Sequence, residues 1–178
     1  MAVLNERDHR AAQAADIAQK MAVAARTAPK GKGVDVIEAA VLTAEHLEQL
    51  ACEMEAYAEE SGMKFFLRDA GNVRAAQAVL IVGTRTQLQG LNCGHCGFAT
   101  CAEKPSAVPC EINAVDVGIA LGSAVSLAAD LRVDTRIMFS AGLAAQRLGL
   151  LGEGVGQVYA VPVSIASKSP LFDRPSRA

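Results

Sequence analysis

Four cysteines fall within eighteen residues, in the segment NCGHCGFATCAEKPSAVPC from Asn92 to Cys110, and nothing else in the chain restricts its fold and chemistry as much. Cys93, Cys96, Cys101 and Cys110 follow the spacing Cys-x2-Cys-x4-Cys-x8-Cys. Thiolates are soft ligands, and four of them select a tetrahedral zinc or the irons of a cluster. Wrapping a chain around so compact a centre needs positive φ angles and close backbone approach. Gly94 and Gly97 supply both, because they lack a Cβ. Zinc sites commonly use two Cys-x2-Cys pairs on separate knuckles. Only one such pair stands here, followed by wider gaps, so an iron–sulfur cluster is the expected occupant and a structural zinc loop the alternative. His95 lies between two ligands and reads as a loop residue outside the ligand set. Cys52, far from the segment, reads as a partly buried free thiol.

Free thiols persist in reducing compartments. The first ten residues, MAVLNERDHR, lack the apolar run of a secretory signal, so the expected location is the cytoplasm. The uncharged stretch 117–129 is short for a membrane span and rich in Gly, Ala and Ser. It reads as a tightly packed core helix, and no membrane association is expected. A net charge of −2, with five Phe, two Tyr and no Trp, provides neither a basic field nor stacking platforms. Nucleic-acid binding is therefore not expected.

Apolar residues at helical spacing predict a first helix from a cap at Asn5 to about Arg26. A loop holding Pro29, Gly31 and Gly33 follows, then a strand over 34–43. Thr43 is expected to cap a second helix that closes at Gly62. The run AVLIVG over 78–83 reads as a buried strand, and 112–131 as the core helix. Beyond it lie a strand over 133–139, a short helix over 141–148 capped by Ser140, and a last strand over 155–165. In that strand Pro162 suggests an edge or a bulge. Interleaved helices and strands predict an α+β fold, a sheet covered by helices in an α/β/α sandwich. The simplest arrangement is a single domain spanning 1–178, with the cysteine-rich loop, 90–111, inserted as an excursion.

The loop pattern C-G-x-C-G-F-x-T-C resembles the four-iron four-sulfur motif of corrinoid iron–sulfur proteins and membrane electron-transport subunits, although its fourth cysteine comes earlier. A longer resemblance rests on AARTAPKGKG (24–33), FLRDAGN (66–72), GLNCGHCGFATC (90–101), DVGIALGSA (116–124), VDTRIMF (133–139) and SKSPLFDR (167–174). These stretches look like the small bacterial and archaeal family called ferredoxin domain-containing protein. That resemblance implies a four-iron four-sulfur cluster and electron transfer, without naming a reaction.

A third similarity is to the nitroreductase fold, through A-A-R-T-A-P after the first helix, the later small-residue helix, and a strand containing V-P. It implies flavin mononucleotide (FMN) bound at a homodimer interface. The R-x-S-x-R pattern that cradles the flavin phosphate is absent, and Arg7 and Arg10 only approximate it. Arg26, Lys30, Lys168 and Arg174 flank the loops corresponding to anion-binding edges and are the candidate cofactor-binding residues; the plainer reading makes them solvated charges. Asp116 reads as a partner for a loop donor or a helix N-terminal acid, and Asp134 with Arg136 as an internal ion pair. Two functions stay open. One is an iron–sulfur redox protein with an unidentified redox partner. The other is a non-enzymatic, metal-stapled scaffold that binds another protein. No Ser–His–Asp, H-E-x-x-H, P-loop or G-x-G-x-x-G arrangement is present.

Overall fold

The computed structural model describes residues 3–172. Helix α1 (Glu6–Thr27) begins where the sequence predicts, with Asn5 Oδ1 accepting from the Arg7 N–H at 3.1 Å. A single 3-10 turn, Gly31–Gly33, closed by Val34, leads to strand β1 (Ile37–Leu42), which starts three residues later than expected. Helix α2 (Glu45–Ser61) closes at Gly62, whose φ of 74° is the left-handed cap the sequence announces. Its other end differs: Ala44, at φ 49°, holds the cap position, and no side chain caps the helix.

Helix α3 (Phe65–Ala75) has no counterpart in the sequence reading. It follows α2 almost at once, and its buried stripe of Phe66, Ala70 and Val73 is interrupted by an aspartate, Asp69, which is itself buried. Ser140 Oγ donates to Asp69 at 2.6 Å. Ser140 therefore ties helix α5 (Phe139–Arg147) to α3 instead of capping it, and Met138 takes the cap position.

Strand β2 (Ala78–Arg85) is buried from Ala78 to Thr84, as its unbroken apolar run requires. Helix α4 (Glu111–Asp130) is the expected core helix. By length and composition it would also suffice to cross a membrane, but here it packs on α1, with Ser123 Oγ donating to the Ala24 carbonyl at 2.9 Å. Strand β3 (Asp134–Thr135) is much shorter than predicted, supplemented by a bridge from Met138 to Ala160. Strand β4 (Val155–Ser164) completes an antiparallel sheet of order β1-β2-β4-β3.

Alternation along β2 divides the core. Val79 and Ile81 face a cluster with α2, α3 and α5, built on Leu50, Met54 and Phe66. Leu80 and Val82 face α1 and α4, with Met21, Val117, Val161 and Val163. The result is the α/β/α sandwich expected from the sequence. Each such side chain, fully buried, contributes ~1.5–3 kcal/mol of transfer free energy. Helix α5 lies directly on β4: a Cβ at Gly142 would stand 2.0 Å from the Val158 carbonyl oxygen.

Pro162 corrects one expectation. Strand β4 is an interior strand, and its bulge lies between the pairs Val82–Tyr159 and Thr84–Gly156, away from the proline. Ala160 exchanges hydrogen bonds with Met138 on the β3 side. Pro162, two residues on, turns its nitrogen to the same side, opposite the gap between Thr135 and Met138, where no strand residue waits for a donor.

Candidate metal centre

The cysteine loop spans the gap from the end of β2 to the start of α4, so a strand and a helix N-terminus fix its two ends. Cys93, Cys96, Cys101 and Cys110 line one cavity, and apart from Asn92, Gln89, Lys104 and Glu111 its wall is apolar, including Leu88, Leu91, Phe98 and Ile112. Cys93 is exposed and the other three are half-buried. Gly94 and Gly97 hold φ values of 71° and 88°, the left-handed turns the loop needs to double back. Among the described residues no group of His, Cys, Asp or Glu is gathered closely enough to form a single-ion site. The loop frames a cavity with thiols on its walls. Its donor set, four soft thiolates in an apolar surround, is the one iron–sulfur clusters use.

Two features support negative charge there. Cys110 occupies the N-cap of α4, where unpaired N–H groups and the helix dipole favour an anion. Asn92 and Cys101 clasp each other: the Asn92 N–H donates to Cys101 Sγ at 3.4 Å, and the Cys101 N–H donates to Asn92 Oδ1 at 2.9 Å. Such N–H···S bonds tune a thiolate-bound metal. Asn92 holds φ 48°, a conformation asparagine tolerates better than most residues.

A buried amide network closes the neck of the loop independently of the thiols. Gln89 Nε2 donates to Asn113 Oδ1 at 2.9 Å, and Asn113 Nδ2 donates to the Gln87 carbonyl at 2.7 Å. Lys32 Nζ donates to the Gln89 carbonyl at 2.9 Å, bringing in the turn after α1. Asp116, buried on α4, accepts the Gly31 N–H with both oxygens, at 2.9 and 3.1 Å. Asp116 is thus the partner for a loop donor that the sequence suggested. Gln89, Asn113 and Lys32 escaped the sequence reading, since nothing in composition or spacing marks them; asparagine beside a cysteine was the available signal for Asn92.

The candidate flavin residues divide between the two ends of the sheet. Arg26 pairs with Asp35 at 2.8 Å and donates to the Ile37 carbonyl at 2.6 Å. Lys30 Nζ donates to the Ala25 and Arg26 carbonyls at 2.8 and 2.5 Å, closing the C-terminal end of α1. Burial pushes the Lys30 ammonium below its ordinary value, against the attraction of Asp35. Burial opposes ionisation of Asp35 too, but the Arg26 guanidinium and the Ile37 N–H hold its carboxyl below the usual aspartate range. Both cations sit beside the start of β1, which pairs with the end of β2. Lys168 is exposed and follows the end of β4, which pairs with the start of β2. One chain therefore does not converge Lys168 with Arg26 and Lys30. Arg174 lies outside the described residues, as does its suggested partner Asp173. Asp134 and Arg136 do not pair: Ser169 Oγ donates to Asp134 Oδ2 at 2.8 Å, while Arg136 donates to the Leu171 carbonyl and stacks over Phe172. Both clamp the chain after β4.

Similarity to known proteins follows the same lines. A nitroreductase with bound FMN from Desulfitobacterium hafniense DCB-2 superposes over 92% of this chain and 81% of its own, with a TM-score of 0.61 and 19% identity. A BluB-like flavoprotein from Clostridium difficile 630 does so over 92% and 84%, with a TM-score of 0.55 and 16% identity. At these identities the likeness is one of fold, and the fold is nitroreductase-like. An uncharacterized protein of Archaeoglobus fulgidus is 43% identical over 97% of both chains. Residues 106–174 match the model of a family described as uncharacterized proteins containing a ferredoxin domain, a match that takes in Cys110 and the strands and helices after it. With a relative this close over nearly its whole length, the chain belongs to that ferredoxin-domain family.

Proposed function

We propose that this chain is a cytoplasmic iron–sulfur redox protein, folded as a single domain, in which Cys93, Cys96, Cys101 and Cys110 hold a four-iron four-sulfur cluster serving an FMN site between two copies of the chain. The observation that carries this reading is the convergence of all four thiols on one cavity with an otherwise largely apolar wall. When bound, the cluster supplies one-electron transfer and the flavin two-electron chemistry. The chain's own contribution is positional. Asn92 clasps Cys101, the N-terminus of α4 stabilises charge at Cys110, and Leu88, Leu91 and Phe98 limit water at the sulfurs.

The nitroreductase-like fold supports the flavin and, through it, the homodimer of this proposal. Arg26 and Lys30 lie at one end of the sheet and Lys168 follows the other, so a site using all three would draw Lys168 from a second copy. The exposed side of α4, with Val115, Gly118, Ile119 and Gly122, offers an apolar surface for that contact. Anaerobic purification, with iron, sulfide, zinc and heat-released flavin measured on one sample, tests the proposal. About four irons with matching sulfide per chain are expected. A colourless protein carrying one zinc overturns the cluster assignment and leaves the metal-stapled scaffold. Absence of flavin removes the second site. Sedimentation of wild type and Ile119→Asp tests the dimer, which the substitution should dissociate.

A further inference from the structure

A second cavity, of about 290 Å³, backs onto the candidate metal centre between α5 and the exit of the cysteine loop. The two cavities share Leu88, Lys104 and Cys110 as a common wall. On the opposite side lies the β4 bulge, where Gln157 is held at φ 49°. A non-glycine residue kept in that conformation at a bulge re-aims its side chain at a local energetic cost.

The chemistry of the lining selects a ligand class. Gln146 Oε1 accepts the Val158 N–H at 3.5 Å, and among the described residues its amide NH2 has no acceptor. The Gln157 amide makes no hydrogen bond among the described residues. Both cations on the wall are already engaged. Lys104 donates to the Pro105 and Val108 carbonyls, and Arg85 is paired with Glu38. The rest of the lining mixes apolar Leu88, Val108 and Pro109 with the uncharged polar side chains of Thr84, Gln87 and Ser106. Unengaged amide donors, Gln157 half-buried and Gln146 at the exposed rim, on a wall of uncharged polar and apolar groups whose cations are already engaged suit carbonyl oxygens on an uncharged molecule. The volume lies at the small end of the ligand-pocket range, enough for one or two rings and too little for a nucleotide.

We infer that this cavity binds a small, uncharged, flat carbonyl compound of the quinone type, with the Gln146 and Gln157 amides donating to its oxygens and Cys110 at its back. The binding follows from the cavity alone; only its contact with a redox centre, through Cys110, rests on the cluster reading above.

Duroquinone is a suitable probe, because its full substitution prevents addition to thiols. Titrated calorimetrically into the full-length protein under anaerobic conditions, it should saturate one site. Gln157→Asn, which withdraws the amide while tolerating the left-handed backbone, combined with Gln146→Leu should weaken binding at least tenfold. Ala107→Trp, at an exposed position on the wall, should abolish it. Lack of saturation with wild type overturns the inference, as does unchanged binding in both variants. Iron measured on the same samples separates the two readings. Quinone binding without iron overturns the cluster and sustains this site, whereas iron without quinone binding overturns this site alone.

Discussion

Asn92 offers a graded test of the cluster proposed for the loop. Its side chain accepts the Cys101 N–H at 2.9 Å, and its backbone sits at φ 48°. Asn92→Gly removes the acceptor and leaves the backbone relaxed, for a loss of ~0.5–1.5 kcal/mol. Asn92→Ala removes the same bond and also forces an alanine into the left-handed region, adding ~1–2 kcal/mol. A difference of ~1.4 kcal/mol is tenfold in an equilibrium constant. The glycine variant should therefore release iron roughly fivefold more readily than wild type, and the alanine variant roughly thirty- to a hundredfold, on the same conversion. Anaerobic protein challenged with excess ferrous chelator gives the rates directly. The expected order of retention is wild type, then glycine, then alanine. Glycine and alanine variants that release iron alike would refute the conformational part of the argument, and variants matching wild type would refute the clasp.

Three further outcomes concern the frame. Gly142→Ala places a methyl 2.0 Å from the Val158 carbonyl oxygen, a backbone atom that cannot give way, so the variant should fail to accumulate as folded protein by circular dichroism; a well-folded variant with near wild-type Tm would show that α5 does not lie so close to β4. Asp116→Ala removes a charged acceptor from the Gly31 N–H, for ~1.5–3 kcal/mol or a Tm loss of ~3–12 °C, with Asp116→Asn intermediate; an unchanged Tm in the alanine variant would discard the pin. Because the Asp35 carboxyl is held below its ordinary value, its pairing with Arg26 stabilises the fold above about pH 4 and is lost as pH falls through the depressed value. The Tm gap between wild type and Arg26→Ala should narrow on acidification but not close, since Arg26 also donates to the Ile37 carbonyl; a gap constant from pH 7 to pH 3 would contradict this.

Elements whose signals are local were legible in the sequence. Asn5 caps α1, Gly62 ends α2, and the run from Ala78 to Gly83 forms the buried β2. What escaped depends on contacts distant in sequence. Helix α3 was hidden because Asp69, rarely a core residue by type, is satisfied there by its neighbour Arg68 together with Ser140, seventy-one positions away. The same bond removes Ser140 from the capping role its position suggested. Strand β3 stops after two residues because the next position, 136, faces Pro162, which has no N–H to continue the ladder. The thiol ligand candidates were evident from spacing alone, yet the side chains that hold the neck of their loop were not. Gln89 and Asn113 acquire their role only when the end of β2 meets the start of α4. The division of Arg26 and Lys30 from Lys168 is likewise a matter of sheet register, which no local pattern encodes.

The amide network at the neck has a consequence for the order of assembly. Gln89, Asn113, Lys32 and Asp116 fasten both ends of the loop with bonds that involve no sulfur. Small metal-stapled modules gain their fold together with their metal, and unfold when it is chelated. Here the surrounding sandwich has its own two cores and anchors the loop before any ion arrives. Under the cluster assignment proposed above, the chain would emerge as a finished receptacle, collect its inorganic cargo afterwards, and survive its loss as a refillable vessel.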